Sequence, residues 1–121
     1  MDSGCYIAVF RLARPRRIRV GRLGTFRFGP GWYLYCGSAQ RGRDARLARH
    51  ARRDKPLRWH IDFLAAHAEM LGAILVPGGK SRECKLAAEL AEFFDRVPPG
   101  FGASDCRCGG HLFHSVDSLT R

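Results

Sequence analysis

The sequence predicts an α+β fold, a small β-sheet with helices packed against it, and three observations carry that prediction. Near-continuous apolar runs rich in β-formers, GCYIAVF at 4–10 and MLGAILV at 70–76, are bounded by glycine, proline and charge as buried strands are. Between them Trp32, Leu34 and Cys36 alternate with Tyr33, Tyr35 and Gly37, the period-two pattern of a strand with two differently occupied faces. Two further segments, 44–53 and 81–95, instead repeat at helical spacing.

In chain order, 4–10 reads as a central strand covered on both sides, followed by a basic connector at 14–19. Ile18, Val20, Leu23, Phe26 and Phe28 then imply two short strands folded about residues 21–24. Gly29-Pro30-Gly31 punctuates the entry to the aromatic strand, and Gly37 ends it, since a missing Cβ lets backbone or ligand approach closely. The helix from Asp44 to Arg53 carries an acid near its start and bases near its end, as the macrodipole prefers. Arg46, Arg49, His50 and Arg53 share one face of it, and Pro56 requires it to end by Lys55. A short helix is expected over 57–67 and a strand over 70–76, closed by Pro77-Gly78-Gly79. Ser81 is the expected N-cap of a helix running to about Asp95, with Leu86, Leu90, Phe93 and Phe94 as its core stripe. After a Pro/Gly loop at 97–102, residues 111–116 read as an edge strand. No repeat, low-complexity tract or linker interrupts the chain, so residues 1–121 are expected to form a single domain.

Charge narrows the partner. The formal net charge is +10 and basic residues are eighteen Arg against three Lys. Arg matches phosphate oxygens with a planar two-donor fork, so nucleic acid is the expected partner, although an arginine-decorated surface would read the same way. Five cysteines, an odd number, and an N-terminal stretch without an apolar core or cleavage site lead us to expect a reducing, cytoplasmic setting. No apolar run approaches the ~20 residues of a membrane helix.

GCY at 4–6, YCG at 35–37 and Arg46 on the following helix resemble the signature of the GIY-YIG nuclease superfamily. YLYCGSA, RLARH, KPLRWHIDFL, REC and FGASDCRCGGHLF together resemble its DUF123 branch, small proteins sometimes fused to repair enzymes. The resemblance spans Gly4 to Phe113 and implies a small mixed, mainly antiparallel sheet flanked by helices. It also implies phosphodiester hydrolysis with one glutamate holding a divalent metal, Mg²⁺ or Mn²⁺, in DNA repair or processing, with DNA preferred over RNA as substrate.

Such hydrolysis needs an activated water, a metal to neutralise developing charge and a cation near the phosphoryl oxygens. By resemblance Tyr6 and Tyr35 orient or deprotonate the water and Arg46 grips the phosphate; ordinary strand aromatics and a solvated arginine are the plainer readings. Glu83 is the expected Mg²⁺ ligand, because it continues the apolar stripe of its helix whereas Glu89 lies on the solvated side with Lys85 and Glu92. An acid that merely favours the helix dipole is the alternative. His50, one turn after Arg46, is a candidate to bind phosphate or shuttle a proton. Ser38, Arg41 and Arg43 in and beside the GSAQRG turn, with Arg49, Arg53 and His60, complete the expected nucleic-acid surface. Whether His60 and Asp62 face the same way depends on whether WHID is strand or helix.

The tail Cys106-x-Cys108-x2-His111-x2-His114 has ligand types suited to zinc, but its spacing is irregular and no second half is evident unless Cys84 or Cys36 joins, which argues against zinc. Cys36 beside Gly37 would be exposed to a bound phosphate as a nucleophile, a weaker reading still. The GSAQRG turn lacks the Lys-Ser/Thr of a P-loop, which disfavours nucleotide hydrolysis. Departures from the superfamily pattern are the long interval between the two tyrosine motifs, a cysteine inside the second, and no clear asparagine after the glutamate helix. Two rival readings therefore stand beside the nuclease: a non-catalytic nucleic-acid-binding module of the same fold, and a small zinc protein organised by the tail.

Overall fold

The computed structural model describes residues 2–103 and 108–116. Strand β1 (Gly4–Leu12) is followed by a hairpin of β2 (Arg16–Val20) and β3 (Gly24–Phe28), joined by a 3-10 turn at Gly21–Leu23. Next come β4 (Gly31–Ala39), α1 (Arg43–Ala51), α2 (His60–Ala65), β5 (Glu69–Val76), α3 (Lys80–Leu90), β6 (Asp95–Arg96) and β7 (Leu112–Ser115). The main sheet has the order β5-β1-β4-β7-β6 with every pairing antiparallel. This is the expected α+β architecture, and β1 is the expected inner strand.

The pleat of β1 sorts the core into two layers. Tyr6, Ala8, Phe10 and Leu12 face one side, where Tyr33, Ile61, Leu64, Phe101 and Leu112 bury with them and Leu47 of α1 packs against the group. The basic insert contributes here too: Ile18, Val20 and Phe28 are core residues, while Arg16, Arg17, Arg19, Arg22 and Arg27 of the same hairpin are exposed. Cys5, Ile7, Leu34, Cys36 and Phe113 face the other side and are covered by Leu86 and Ala87 of α3.

Several boundaries differ from expectation. Helix α1 stops at Ala51, because Lys55 Nζ donates to the carbonyls of Arg49 (2.8 Å) and His50 (3.1 Å) and so satisfies the last turn early. Arg53 is therefore off the helix. Helix α2 begins only at His60, where the Asp62 carboxylate accepts the N–H groups of Arg58 and Trp59 and caps the first turn. Gly79, not Ser81, precedes α3, which ends at Leu90; Asp95–Arg96 turns into a short strand instead. β7 is not an edge, since β6 pairs on its outer side, and the edges are β5 and β6. Among the described residues no helix is long and apolar enough to cross a membrane.

Candidate active site

β7 begins pairing with β4 at Tyr35↔Leu112, so beyond Tyr35 and the bond from Cys36 N to His111 O, β4 runs on past Gly37, where it was expected to end, to Ala39, with no strand on that side among the described residues. Through this notch, groups from both faces of the sheet meet. A cleft of about 660 Å³ opens there, lined by Tyr6, Tyr35, Arg46, His50 and Glu83 together, with Ser38, Arg41 and His60 around them. The five residues named as catalytic from the sequence thus converge, although they come from β1, β4, α1 and α3.

Gly37 makes the tyrosine arrangement feasible. Paired opposite Tyr6, it would, if given a Cβ, collide with the Tyr6 ring and hydroxyl. With glycine there the phenol lies across β4 and reaches His50, its oxygen 2.8 Å from Nε2. Burial pushes the Tyr6 hydroxyl up to about 12, only partly offset by the Arg46 guanidinium, and raises Tyr35 as well. His50 is enclosed by the rings of Tyr6, Tyr35 and Trp59. Burial first, then Lys55, Arg46 and Arg49, push it down to about 4 against the opposing pull of Asp62, so it is neutral at pH 7. Its Nδ1 has no partner among the described residues.

Arg46 Nη1 donates to the Ser38 carbonyl at 2.6 Å, and its guanidinium sits 5.1 Å from the Trp59 ring centre. Arg49 is used internally: it forks onto both oxygens of the fully buried Asp62 (2.8 and 3.0 Å) and stacks on Trp59 at 4.5 Å. Burial works against the Asp62 carboxylate, but the bonds from Arg49, Trp59 and Arg58 outweigh it and hold its pKa below the usual range. Because WHID lies at the start of a helix, His60 and Asp62 diverge; His60 Nδ1 accepts the Gly102 N–H at 2.8 Å in the cleft wall.

On the opposite wall Glu83 accepts the Ser38 hydroxyl at Oε1 (2.6 Å) and faces His111 Nδ1 with Oε2 (2.8 Å). Burial disfavours its charge, yet His111, Ser38 and Lys80 together keep its pKa low. For His111 burial opposes the charge and is overcome by Glu83 and Cys108, which raise it. Glu89 is exposed beside Arg82, as expected of the solvated side.

Other expected site residues go elsewhere. Arg43 is buried against the Cys5 carbonyl and lines a neighbouring hollow of about 570 Å³, away from the cleft. Arg53 donates to the carbonyls of Ala68 and His67. His114 stacks on Tyr33 and bonds to the Pro30 carbonyl, apart from Cys108 and His111. Cys106 lies outside the described residues. Cys36 is fully buried and its thiol is pushed up to about 12 by burial, then by Glu83, so it is no nucleophile. From the sequence Trp59 is a packing residue of the 57–67 helix with Phe63 and Ala66, whereas in the structure it is the plate on which Arg46 and Arg49 rest.

Neither the curated proteins nor the solved structures compared with this chain gave a match. A family model does match, described as a domain of unknown function, DUF123, and it covers residues 5–120, from the strand that carries Tyr6 to beyond the one that follows His111. The chain belongs to the DUF123 family.

Proposed function

We propose that this protein is a metal-dependent endonuclease that hydrolyses phosphodiester bonds of nucleic acid, DNA before RNA, in a repair or processing role. The observation that supports it is the meeting of two phenols, a neutral imidazole, a guanidinium and a carboxylate in one basic cleft. In this reading the scissile phosphate lies against Arg46, whose side chain is already fixed by Ser38 and Trp59, with exposed Arg41 and Arg58 taking neighbouring phosphates. The attacking water is oriented by the Tyr6 and Tyr35 hydroxyls. A phenolate is too costly at neutral pH, so Tyr6 takes the water's proton only as its own passes to His50 Nε2, which is neutral and within bonding distance.

Glu83 fits a hard divalent cation. It is ionised and lies in the cleft, and a carboxylate oxygen that accepts one hydrogen bond keeps a second lone pair for a metal. Mg²⁺ or Mn²⁺ held there would supply charge neutralisation at the phosphoryl oxygens.

Cleavage of labelled duplex, flap and junction DNA with and without Mg²⁺ tests this. Wild-type protein should give metal-dependent products, and Glu83→Gln should lower the rate at least about 100-fold, the scale of losing one charge-stabilising group. Unchanged cleavage by the variant removes Glu83 from the mechanism.

One observation favours the rival binding module: Tyr6 is almost fully buried, with a hydroxyl that resists ionisation. That reading expects salt-sensitive binding and no metal-dependent product on any nucleic acid.

A further inference from the structure

Beside the Glu83–His111 pair, three donors from two distant parts of the chain come together. The sulfur atoms of Cys84 and Cys108 and a ring nitrogen of His111 all lie within 4.8 Å of one another. Cys84 Sγ is 3.9 Å from His111 Nε2. A tetrahedral zinc ion with bonds of ~2.3 Å to sulfur and ~2.0 Å to nitrogen needs that edge at about 3.5 Å, so a shift of a few tenths of an ångström would close it. The imidazole is already oriented for it. Nε2 faces the thiol while Nδ1 lies 2.8 Å from a Glu83 carboxylate oxygen, the pairing in which a carboxylate backs a metal-bound histidine.

We propose that Cys84, Cys108 and His111 bind a zinc ion. Two thiolates and an imidazole suit a borderline-soft metal and not the hard Mg²⁺ assigned to Glu83, so the two metals would not compete for one donor set. Cys84 also lines the cleft, so water can reach the ion from that side. The ion would tie α3 to the segment that enters β7 and fix the His111 ring, and through it the Glu83 carboxylate. The set differs from the tail read in the sequence: Cys84 of α3 takes the place of His114, whose ring is committed to Tyr33 and Pro30. The zinc site does not rest on the nuclease reading, because its donors and its test involve no nucleic acid.

Elemental analysis of the full chain, expressed with zinc supplementation and desalted without chelator, should find about one zinc per chain. Cys84→Ser and Cys108→Ser should each lower retained zinc at least about tenfold, and Glu83→Gln should weaken zinc affinity about 10–100-fold through His111. His114→Ala should keep the full complement. Cobalt(II) added to metal-stripped wild-type protein should give the charge-transfer absorption of a thiolate-bound ion and the strong visible bands of tetrahedral cobalt, a readout that stands if a cysteine variant does not fold. Folded wild-type protein with no stoichiometric zinc, a Cys84–Cys108 disulfide in its place, or zinc retained in the Cys84→Ser, Cys108→Ser double variant overturns the proposal.

Discussion

The two faces of the main sheet are closed in different ways. On one, the even-numbered side chains of β1 from Tyr6 to Leu12 are sealed by α1, α2 and the β2–β3 hairpin with large apolar groups such as Phe28, Ile61, Leu64 and Phe101. The other is sealed by a single helix whose only buried residues are Leu86 and Ala87. Polar chemistry divides the same way. The first face carries an arginine–aspartate–tryptophan lock that is complete within the chain, whereas the second carries Ser38, Glu83 and Cys84 at the cleft rim, with His111 and Cys108 beside them. Packing positions Tyr6, His50 and Arg46, while Glu83 is positioned by a few polar bonds. The half of the site made from the thinner layer should be the more responsive to its surroundings.

Asp62→Ala should give the largest loss of stability. Asp62 is fully buried with Arg49, Lys55 and two backbone N–H groups around it, so removing the carboxylate leaves uncompensated buried charge at a cost of about 3–5 kcal/mol. Ser38→Ala on the other face breaks one bond to Glu83 and should cost about 1–2 kcal/mol. Urea unfolding of the two variants measures the contrast, and equal losses would dissolve it.

Acidification sharpens it next. His50 has its pKa lowered from 6.5 to about 4, so the unfolded chain binds a proton that the native state refuses, and stability falls as pH drops through that interval, by on the order of 3 kcal/mol in all. Asp62 adds to the loss at lower pH. Its depressed pKa stabilises the fold above the ordinary carboxylate value and ceases to as pH falls through the native one. Both groups belong to the first face, so His50→Phe should remove its share of the fall between pH 6.5 and 4, while His60 and His67, lowered by burial as well, keep theirs. A profile unchanged by that substitution would contradict the burial argument.

Core truncation tests the layers directly. Leu64→Ala should cost about 4 kcal/mol, near the upper part of the usual range, because its surroundings are crowded on all sides. Leu86→Ala, at the edge of the smaller cluster, should cost about 2 kcal/mol.

The fold was legible where periodicity is strong and local. The apolar run of β1, the alternation in β4 and the two glycine-bounded strands of the hairpin all stand close to where the residues place them. Termini were misread where a capping side chain decided them: Lys55 closes the last turn of α1 from just beyond it, and Asp62, the third residue of α2, caps that helix's own start, local signals that apolar periodicity does not register. The site was legible in its membership through the spaced tyrosine motifs and through Glu83 on the apolar side of its helix. Its arginines were harder to sort. Arg43, Arg49 and Arg53 look the same as Arg46 in sequence, and all four donate to internal acceptors, yet of the four it is Arg46 that lines the cleft, which only the tertiary structure reveals. The sequence could name Cys84 only as one thiol able to join the tail, because it arrives from a helix on another part of the chain, and the structure brings it to Cys108 and His111.

Two glycines give the finest contrast, between the centre of the sheet and its rim. At Gly37 an added methyl group meets the Tyr6 ring and hydroxyl, and neither β4 nor the buried phenol has space to yield. At Gly72, on edge strand β5, the same methyl meets nothing within 4 Å, and no positive φ forbids it. Gly37→Ala should therefore cost about 1–3 kcal/mol by overpacking, while Gly72→Ala should be neutral or stabilise by about 0.4–1 kcal/mol through the unfolded chain. The first substitution must also push the Tyr6 oxygen away from His50, so the imidazole regains solvent and its pKa should climb from about 4 toward its ordinary value. NMR titration of the His50 ring in the two variants reads that shift. If it is the same in both, glycine at position 37 is not what lets the phenol and imidazole meet.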